Sequence, residues 1–227
     1  MMANPPGTLL FDLDGTLVDS AGDLSGSLDT LMAEKDLSPI GIATGRQLIG
    51  HGIANLVRNA LKLRGESEDE GDIAIDLARF MDIYASRLTR LTRPYPGVVE
   101  TLEVLKSQGW SMGVCTNKRE KFATSIVEDL GLSRFFEVVS GPDTFGVGKP
   151  DPRQLSEMVK AAGGRHPALF VGDSEVDVAA AKAAGMPVIA LTYGYSKIPL
   201  DTLAPDALLS SFGDVPQAIS EIMSKSR

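Results

Sequence analysis

Cysteine is nearly missing from this sequence. Cys115 stands alone among 227 residues, which rules out an intrachain disulfide framework and suits a reducing compartment. Basic charge is also scarce, with 22 Lys and Arg against 30 Asp and Glu and a net charge of −8. Phosphate backbones and anionic lipid surfaces select basic faces, so neither nucleic acid nor a membrane surface is expected as a general partner. A small anion stays compatible if a local site or a bound cation inverts the field. No apolar run approaches the roughly 20 residues that span a bilayer, and the opening MMANPPGTLLF carries no basic segment of the secretory type. A cytoplasmic location is expected. Internal repeats and low-complexity segments are lacking too.

What is present is ordinary globular usage, 43% hydrophobic and 23% charged, enough to build a sizeable core. At about 150 residues per domain the length amounts to roughly one and a half domains. Short, nearly continuous apolar runs at 8–12, 111–116, 136–140, 168–172, 188–191 and 207–209 read as buried parallel strands. Helical periods lie between them at 98–107, 121–130 and 176–184, the last stopped by Gly185-Met186-Pro187. Strands alternating with helices imply an α/β fold, a Rossmann-like parallel sheet.

Residues 20–92 break the alternation, with helical periods at 24–34, 47–62 and 73–91 and no strand pattern between them. The acidic GESEDEGD at 65–72 reads as a solvated loop, and PYPG at 94–97 marks the return to the sheet. The expected organisation is a core of 1–19 and 93–227 with a helical cap domain, 20–92, inserted after the first strand. Trp110 and the methionines read as core, and Cys115 as a small buried hydrophobe.

The chemistry gathers at strand ends. In TLLFDLDGTLVDS, Asp12 and Asp14 would share one face if the strand ran that far. Two such carboxylates repel unless something positive lies between them. With hard oxygen ligands and no neighbouring histidine, Mg2+ fits better than zinc. Later runs end in GVCTNK, with Thr116, Asn117 and Lys118, and in FVGDSEVD, with Asp173, Ser174 and Asp177, while a loop after another run, GVGKPDP, offers Lys149. A metal-assisted phosphoryl-transfer site needs such an inventory: a carboxylate nucleophile, a second carboxylate for proton transfer, a metal ligand, and a hydroxyl and an ammonium for phosphate oxygens. Read singly, Asp14-Gly15 is also a common turn signal, and Thr116 and Asn117 are also residues that cap a helix starting at 118–120. Asp173 and Asp177 also suit the first turn of a helix.

FDLDGTLVDS, VCTNK, GKPDP and GDSEVD resemble, in order and over essentially the whole chain, the four motifs of the haloacid dehalogenase-like (HAD) hydrolase superfamily. RQLIGHGIANLVRNAL and ALTYGY further resemble its phosphoglycolate phosphatase branch. The resemblance implies that Asp12 attacks phosphorus and becomes a phosphoaspartate, and that Asp14 protonates the leaving alcohol and later activates water. It implies that Thr116 and Lys149, with Asn117 beside them, bind the phosphoryl group. Mg2+ would be held by the Asp12 carboxylate, the Asp14 carbonyl and Asp173, with Asp177 orienting the metal shell or Lys149, and Ser174 supporting it.

Three further residues carry open readings. Arg46 either meets a substrate carboxylate or is a solvated arginine; His51 is a structural histidine or a specificity residue; Lys118 either helps hold a substrate anion or lies on ordinary surface. The implied partner is a small anionic phosphomonoester, 2-phosphoglycolate in the first place, acted on by a monomer or homodimer. Rival readings with the same core motifs are a β-phosphoglucomutase-like mutase, a pyrophosphatase and another small-phosphate phosphatase. Rivals of another class are a receiver-type phosphoacceptor module and a binding protein on an inactive scaffold.

Overall fold

The structure is a computed structural model and describes residues 6–50, 52–67 and 69–225. In chain order, β1 (Thr8–Phe11) and β2 (Val18–Asp19) precede four helices: α1 (Ala21–Glu34), α2 (Ile42–Leu48), α3 (Ile53–Lys62) and α4 (Glu70–Ala85). Then come β3 (Arg93–Pro94), α5 (Val98–Ser107), β4 (Ser111–Cys115), α6 (Glu120–Asp129), β5 (Val138–Ser140), α7 (Pro142–Phe145) and α8 (Pro152–Ala161). The chain continues through β6 (Ala168–Gly172), α9 (Glu175–Ala183), β7 (Val188–Leu191), β8 (Ala207–Leu209) and α10 (Val215–Lys225). It divides into two units, one comprising the residues up to Val18 and from Pro94 onward, the other Asp19–Arg93.

The first unit is an α/β sheet domain. Six strands run in the order β5-β4-β1-β6-β7-β8, all pairs parallel. β1 is central because its four residues, TLLF, are fully buried on both faces, as a strand covered by helices on each side must be. Alternation divides them. Leu10 points into a cluster with Cys115, Leu155, Met158, Phe170, Val178 and Val188, while Phe11 on the opposite face meets the rings of Phe136 at 6.1 Å and Phe212 at 5.9 Å. Helix α8 has a start signal legible in DP: Asp151 caps it by accepting from the Arg153 N–H at 2.9 Å, and Pro152 takes its first position.

The second unit is helical. Its α1 packs on α2 and α4, and α3 on α4, around Leu28, Leu31, Met32, Leu56, Val57, Phe80 and Tyr84. Two expectations are corrected here. The single helix at 47–62 is two helices, α2 and α3, since Gly50 and Gly52 take φ of 121° and 82°, values that interrupt a right-handed helix and that glycine alone adopts freely. The helix at 73–91 starts earlier, capped by Asp69, and ends at Ala85. Beyond it the buried Asp23 captures the chain: its Oδ2 accepts from Leu91 N at 2.8 Å, Thr92 N at 2.7 Å and the Thr92 hydroxyl at 2.8 Å. Those N–H groups are then lost to any helical ladder. Asp69 and the first residues of α4 also take the end of the acidic stretch out of its expected loop.

Candidate active site

Strand β1 stops at Phe11, and the expectation that Asp12 and Asp14 occupy one strand face is corrected. The Leu13 carbonyl accepts from Leu17 N at 2.9 Å and Val18 N at 3.0 Å, so the chain turns back at once. Gly15, at φ of 89°, permits that turn. The turn sends the two carboxylates to different lysines. Lys149 Nζ lies 2.9 Å from Asp12 Oδ1 and 2.6 Å from Asp177 Oδ1; the first contact is an ion pair outside good hydrogen-bond alignment. Lys118 Nζ donates to both oxygens of Asp14, at 2.7 and 3.0 Å.

Because β1 lies between β4 and β6, the ends of three adjacent strands meet here. Carboxylate oxygens of Asp12, Asp173 and Asp177 lie within 4.8 Å of one another. Asp173 Oδ1 accepts from the Thr16 hydroxyl at 2.7 Å and its Oδ2 from Tyr195 N at 2.7 Å. Asp177 Oδ2 accepts from Asp173 N at 3.1 Å, Ser174 N at 3.0 Å and the Ser174 hydroxyl at 2.7 Å. Ser174 and Asp177 thereby form a capping box at the start of α9.

Charge balance is poor. Burial pushes the Asp12 carboxyl up from 3.8 to about 6, the Asp177 and Asp14 charges adding to burial and Lys149 opposing it. Burial, then the Asp177 and Asp12 charges, raises Asp173 as well. Lys149 is also buried, which disfavours its charge, yet Asp12 and Asp177 outweigh this and hold its pKa above the ordinary value. Crowded oxygen donors that resist losing their protons, with no soft ligand among them, fit a hard divalent cation. Both Asp177 oxygens are already engaged, by Lys149 and by the capping box. Each Asp173 oxygen accepts one hydrogen bond, against three at Asp177 Oδ2 and an ammonium at its Oδ1, so Asp12 and Asp173 are the less heavily engaged carboxylates.

The other sequence-derived candidates are distributed as follows. Thr116 immediately follows β4 and is buried, its hydroxyl accepting from Lys118 N at 3.2 Å. It does not cap α6, whose first position is preceded by Arg119 with no side-chain cap bond; Asp143 Oδ1 accepts from Glu120 N at 2.9 Å instead. Asn117 Nδ2 donates to the Lys149 carbonyl at 2.8 Å. Lys118 is not surface, its side chain being 2% exposed. Arg46 belongs to the helical unit, where it donates to Asp19 Oδ2 at 2.7 Å. His51 lies outside the described residues. Cys115 is fully buried, and desolvation pushes its thiol up to about 12.

Two contributors had escaped the sequence reading, and a third, the end of ALTYGY, figured there only as a resemblance. Thr16 orients Asp173. Gln154 is fully buried between Thr116 and Lys149. The 193–195 segment wraps Asp173: Tyr193 donates its hydroxyl to the Thr16 carbonyl at 2.8 Å, its ring 4.3 Å from that of Tyr95. A Cβ on Gly194 would stand 2.2 Å from Asp173 Oδ2, closer than any real contact. A glycine between two aromatics, just past a buried strand, was the available signal.

Residues 9–191 match the family model described as haloacid dehalogenase-like hydrolase. The chain is 39% identical over 214 residues to a phosphoglycolate phosphatase of Mesorhizobium japonicum, covering 94% of each chain. It is 44% identical over 216 residues to phosphoglycolate phosphatase 1 of Pseudomonas aeruginosa, covering 92% of this chain and 78% of that one. Among solved structures, a predicted phosphoglycolate phosphatase from Haemophilus somnus superposes with a TM-score of 0.85 at 33% identity, over 93% of this chain and 97% of the other.

Proposed function

Because this chain belongs to the haloacid dehalogenase-like hydrolases, as a phosphatase of that family, we propose that it hydrolyses 2-phosphoglycolate to glycolate and phosphate through a phosphoaspartate on Asp12. The observation that carries the mechanism is the separation of two neighbouring carboxylates onto two lysines, Asp12 onto Lys149 and Asp14 onto Lys118. Carboxylates in different surroundings can take different roles. The relatives named phosphoglycolate phosphatases supply the substrate.

Asp12, at about 6, is mostly ionised above neutrality, so its carboxylate oxygen can attack phosphorus. The bond from phosphorus to the ester oxygen breaks, and Asp14 gives its proton to the departing alkoxide. Asp14 then takes a proton from the incoming water, whose oxygen displaces Asp12 from phosphorus and restores the free carboxylate. Thr116 and Lys149 hold the phosphoryl oxygens. Mg2+ held by Asp12, Asp173 and the Asp14 carbonyl would neutralise charge on the phosphoryl group. Asp177 and Ser174 keep Lys149 and Asp173 in place. We assign the helical unit Asp19–Arg93 the role of a cap that excludes and admits water, carried on the segments 18–21 and 93–97. Membership of a hydrolase family sets aside the receiver-type module.

The test is phosphate release with Mg2+ from 2-phosphoglycolate, pyrophosphate, β-glucose 1-phosphate, p-nitrophenyl phosphate and common sugar phosphates, with Asp12→Asn as control. The expected result is a lead in kcat/KM of about a hundredfold for 2-phosphoglycolate, about 2.7 kcal/mol of transition-state preference. A flat panel, or another ester in front, refutes the substrate; turnover by Asp12→Asn refutes the mechanism.

A further inference from the structure

Gln154 has no place in the reaction just described, yet it is fully buried in the first turn of α8 with both ends of its amide committed. Its Oε1 accepts from the Lys149 backbone N–H at 3.0 Å, and its Nε2 donates to the Thr116 carbonyl at 3.0 Å. The amide orientation follows from these partners, since an N–H demands the oxygen and a carbonyl demands the nitrogen. On the other side of the same residue, Asn117 Nδ2 donates to the Lys149 carbonyl at 2.8 Å. Side chains thus grip both polar groups of the Lys149 backbone. Together the bonds tie the residues following β4 to the loop that carries Lys149, directly through Asn117 and by way of α8 through Gln154.

We propose that Gln154 is a positioning residue that fixes the distance between the Thr116 hydroxyl and the Lys149 ammonium, with Asn117 as the second arm of the brace. The proposal rests on the reading that Thr116 and Lys149 hold the phosphoryl group. Strand pairing alone does not set that distance. Lys149 lies in the 146–151 segment, outside any helix or strand, and the sheet ladder reaches Thr116 through its N–H to the Ser140 carbonyl. Oxygens on one phosphoryl group require their two holders at a fixed separation, and misplacement by about 1 Å costs on the order of a hundredfold in rate. A buried side chain bonded to both backbones supplies that constraint.

The experiment compares Gln154→Leu, which removes both bonds, with Gln154→Glu, which keeps the acceptor for Lys149 N–H and loses the donor to Thr116. Inorganic phosphate binding to the Mg2+-loaded full chain is measured by calorimetry, alongside kcat and KM. Gln154→Leu is expected to weaken phosphate binding about tenfold and to lower kcat/KM about a hundredfold, with Gln154→Glu between it and the parent. A residue that served only stability would lower the melting temperature and the active fraction while the folded molecules bound phosphate as the parent does. That result overturns the proposal, as does a Gln154→Glu variant indistinguishable from the parent. Should Gln154→Leu fail to fold, Gln154→Glu and Asn117→Ser carry the comparison, both expected to weaken phosphate binding. Thr116→Ala and Lys149→Ala separate the two levels: if these bind phosphate normally the underlying reading is wrong, and if they lose it while the Gln154 variants do not, the brace alone is wrong.

Discussion

Carboxylate oxygens of Asp12, Asp173 and Asp177 crowd within 4.8 Å of one another with the Lys149 ammonium against two of them, and Asp12→Asn removes one of the three negative charges at almost constant shape. Burial raises the Asp12 carboxyl from 3.8 to about 6. At 1.36 kcal/mol per tenfold change in proton affinity, ionising it in the folded protein costs about 3 kcal/mol more than in the unfolded chain. The folded state keeps a proton that the unfolded state releases, so this group's contribution to stability is greatest below about pH 4, falls as pH rises through 6, and is level above. Asparagine has no proton to lose. In EDTA at pH 8, Asp12→Asn is therefore expected to be more stable than the parent by up to about 3 kcal/mol, or roughly 6–12 °C in Tm for a chain of this size. The advantage is expected to vanish by about pH 4. Asp173 is raised in the same direction and works with this trend. Mg2+ at a thousand times its Kd is expected to reverse the order, since it adds about 4.1 kcal/mol to the parent alone. Differential scanning calorimetry across pH with EDTA or Mg2+ makes the comparison. A metal-free variant less stable than the parent at pH 8, or an advantage that does not depend on pH, would refute the reasoning.

Three other perturbations act on separate parts of the structure. Thr16→Val deletes the donor to Asp173 Oδ1 and is expected to raise the Mg2+ concentration for half-maximal activity about 10- to 100-fold, read from a metal titration of phosphate release. Lys118→Met strips Asp14 of its ammonium and is expected to lower kcat about a hundredfold with the far-UV circular dichroism unchanged; an unaltered kcat would remove Lys118 from the chemistry. Asp23→Ala leaves the Leu91 and Thr92 N–H groups and the buried Thr92 hydroxyl without their acceptor and Arg87 without the carboxylate 3.6 Å away, a loss of about 3–5 kcal/mol. Hydrogen exchange is expected to quicken across 19–93 while the sheet strands stay protected.

The strands at 168–172 and 188–191 were legible to the residue because buried parallel strands read as unbroken apolar runs, and the partly exposed strand at 207–209 showed by its short apolar run. Asp12 and Asp173 stood out because they are carboxylates placed directly past such runs, and Lys149 because it stands in the GVGKPDP motif. Thr16 and Gln154 stayed hidden for a different reason. Their partners, Asp173 and Thr116, lie 157 and 38 residues away, and nothing local in GTL or RQL announces a contact at that range. Lys118 was read as possible surface on the same grounds, its partner Asp14 being 104 residues upstream. The glycines at 50 and 52 and the Asp151-Pro152 pair were local signals in plain view. The helical period of the surrounding leucines and alanines outweighed the first, and the motif value of GKPDP drew attention from the second.

The placement of β1 between β4 and β6 also sets an order of events during synthesis. Its four residues pair with 111–114 and 168–171, so the first strand made waits about 100 residues for one neighbour and 160 for the other. At the usual 5–20 residues per second, roughly 10–30 s pass before both partners exist. The helices of 19–93 close on nearer neighbours and have no such delay. Throughout that interval TLLF is an apolar segment without a sheet, and Asp12 at its end has no Lys149 and no Asp173. A nascent chain thus acquires its helical unit first and its chemistry last, and a ribosome halted before residue 173 holds a product with four of the sheet's six strands and no Asp173.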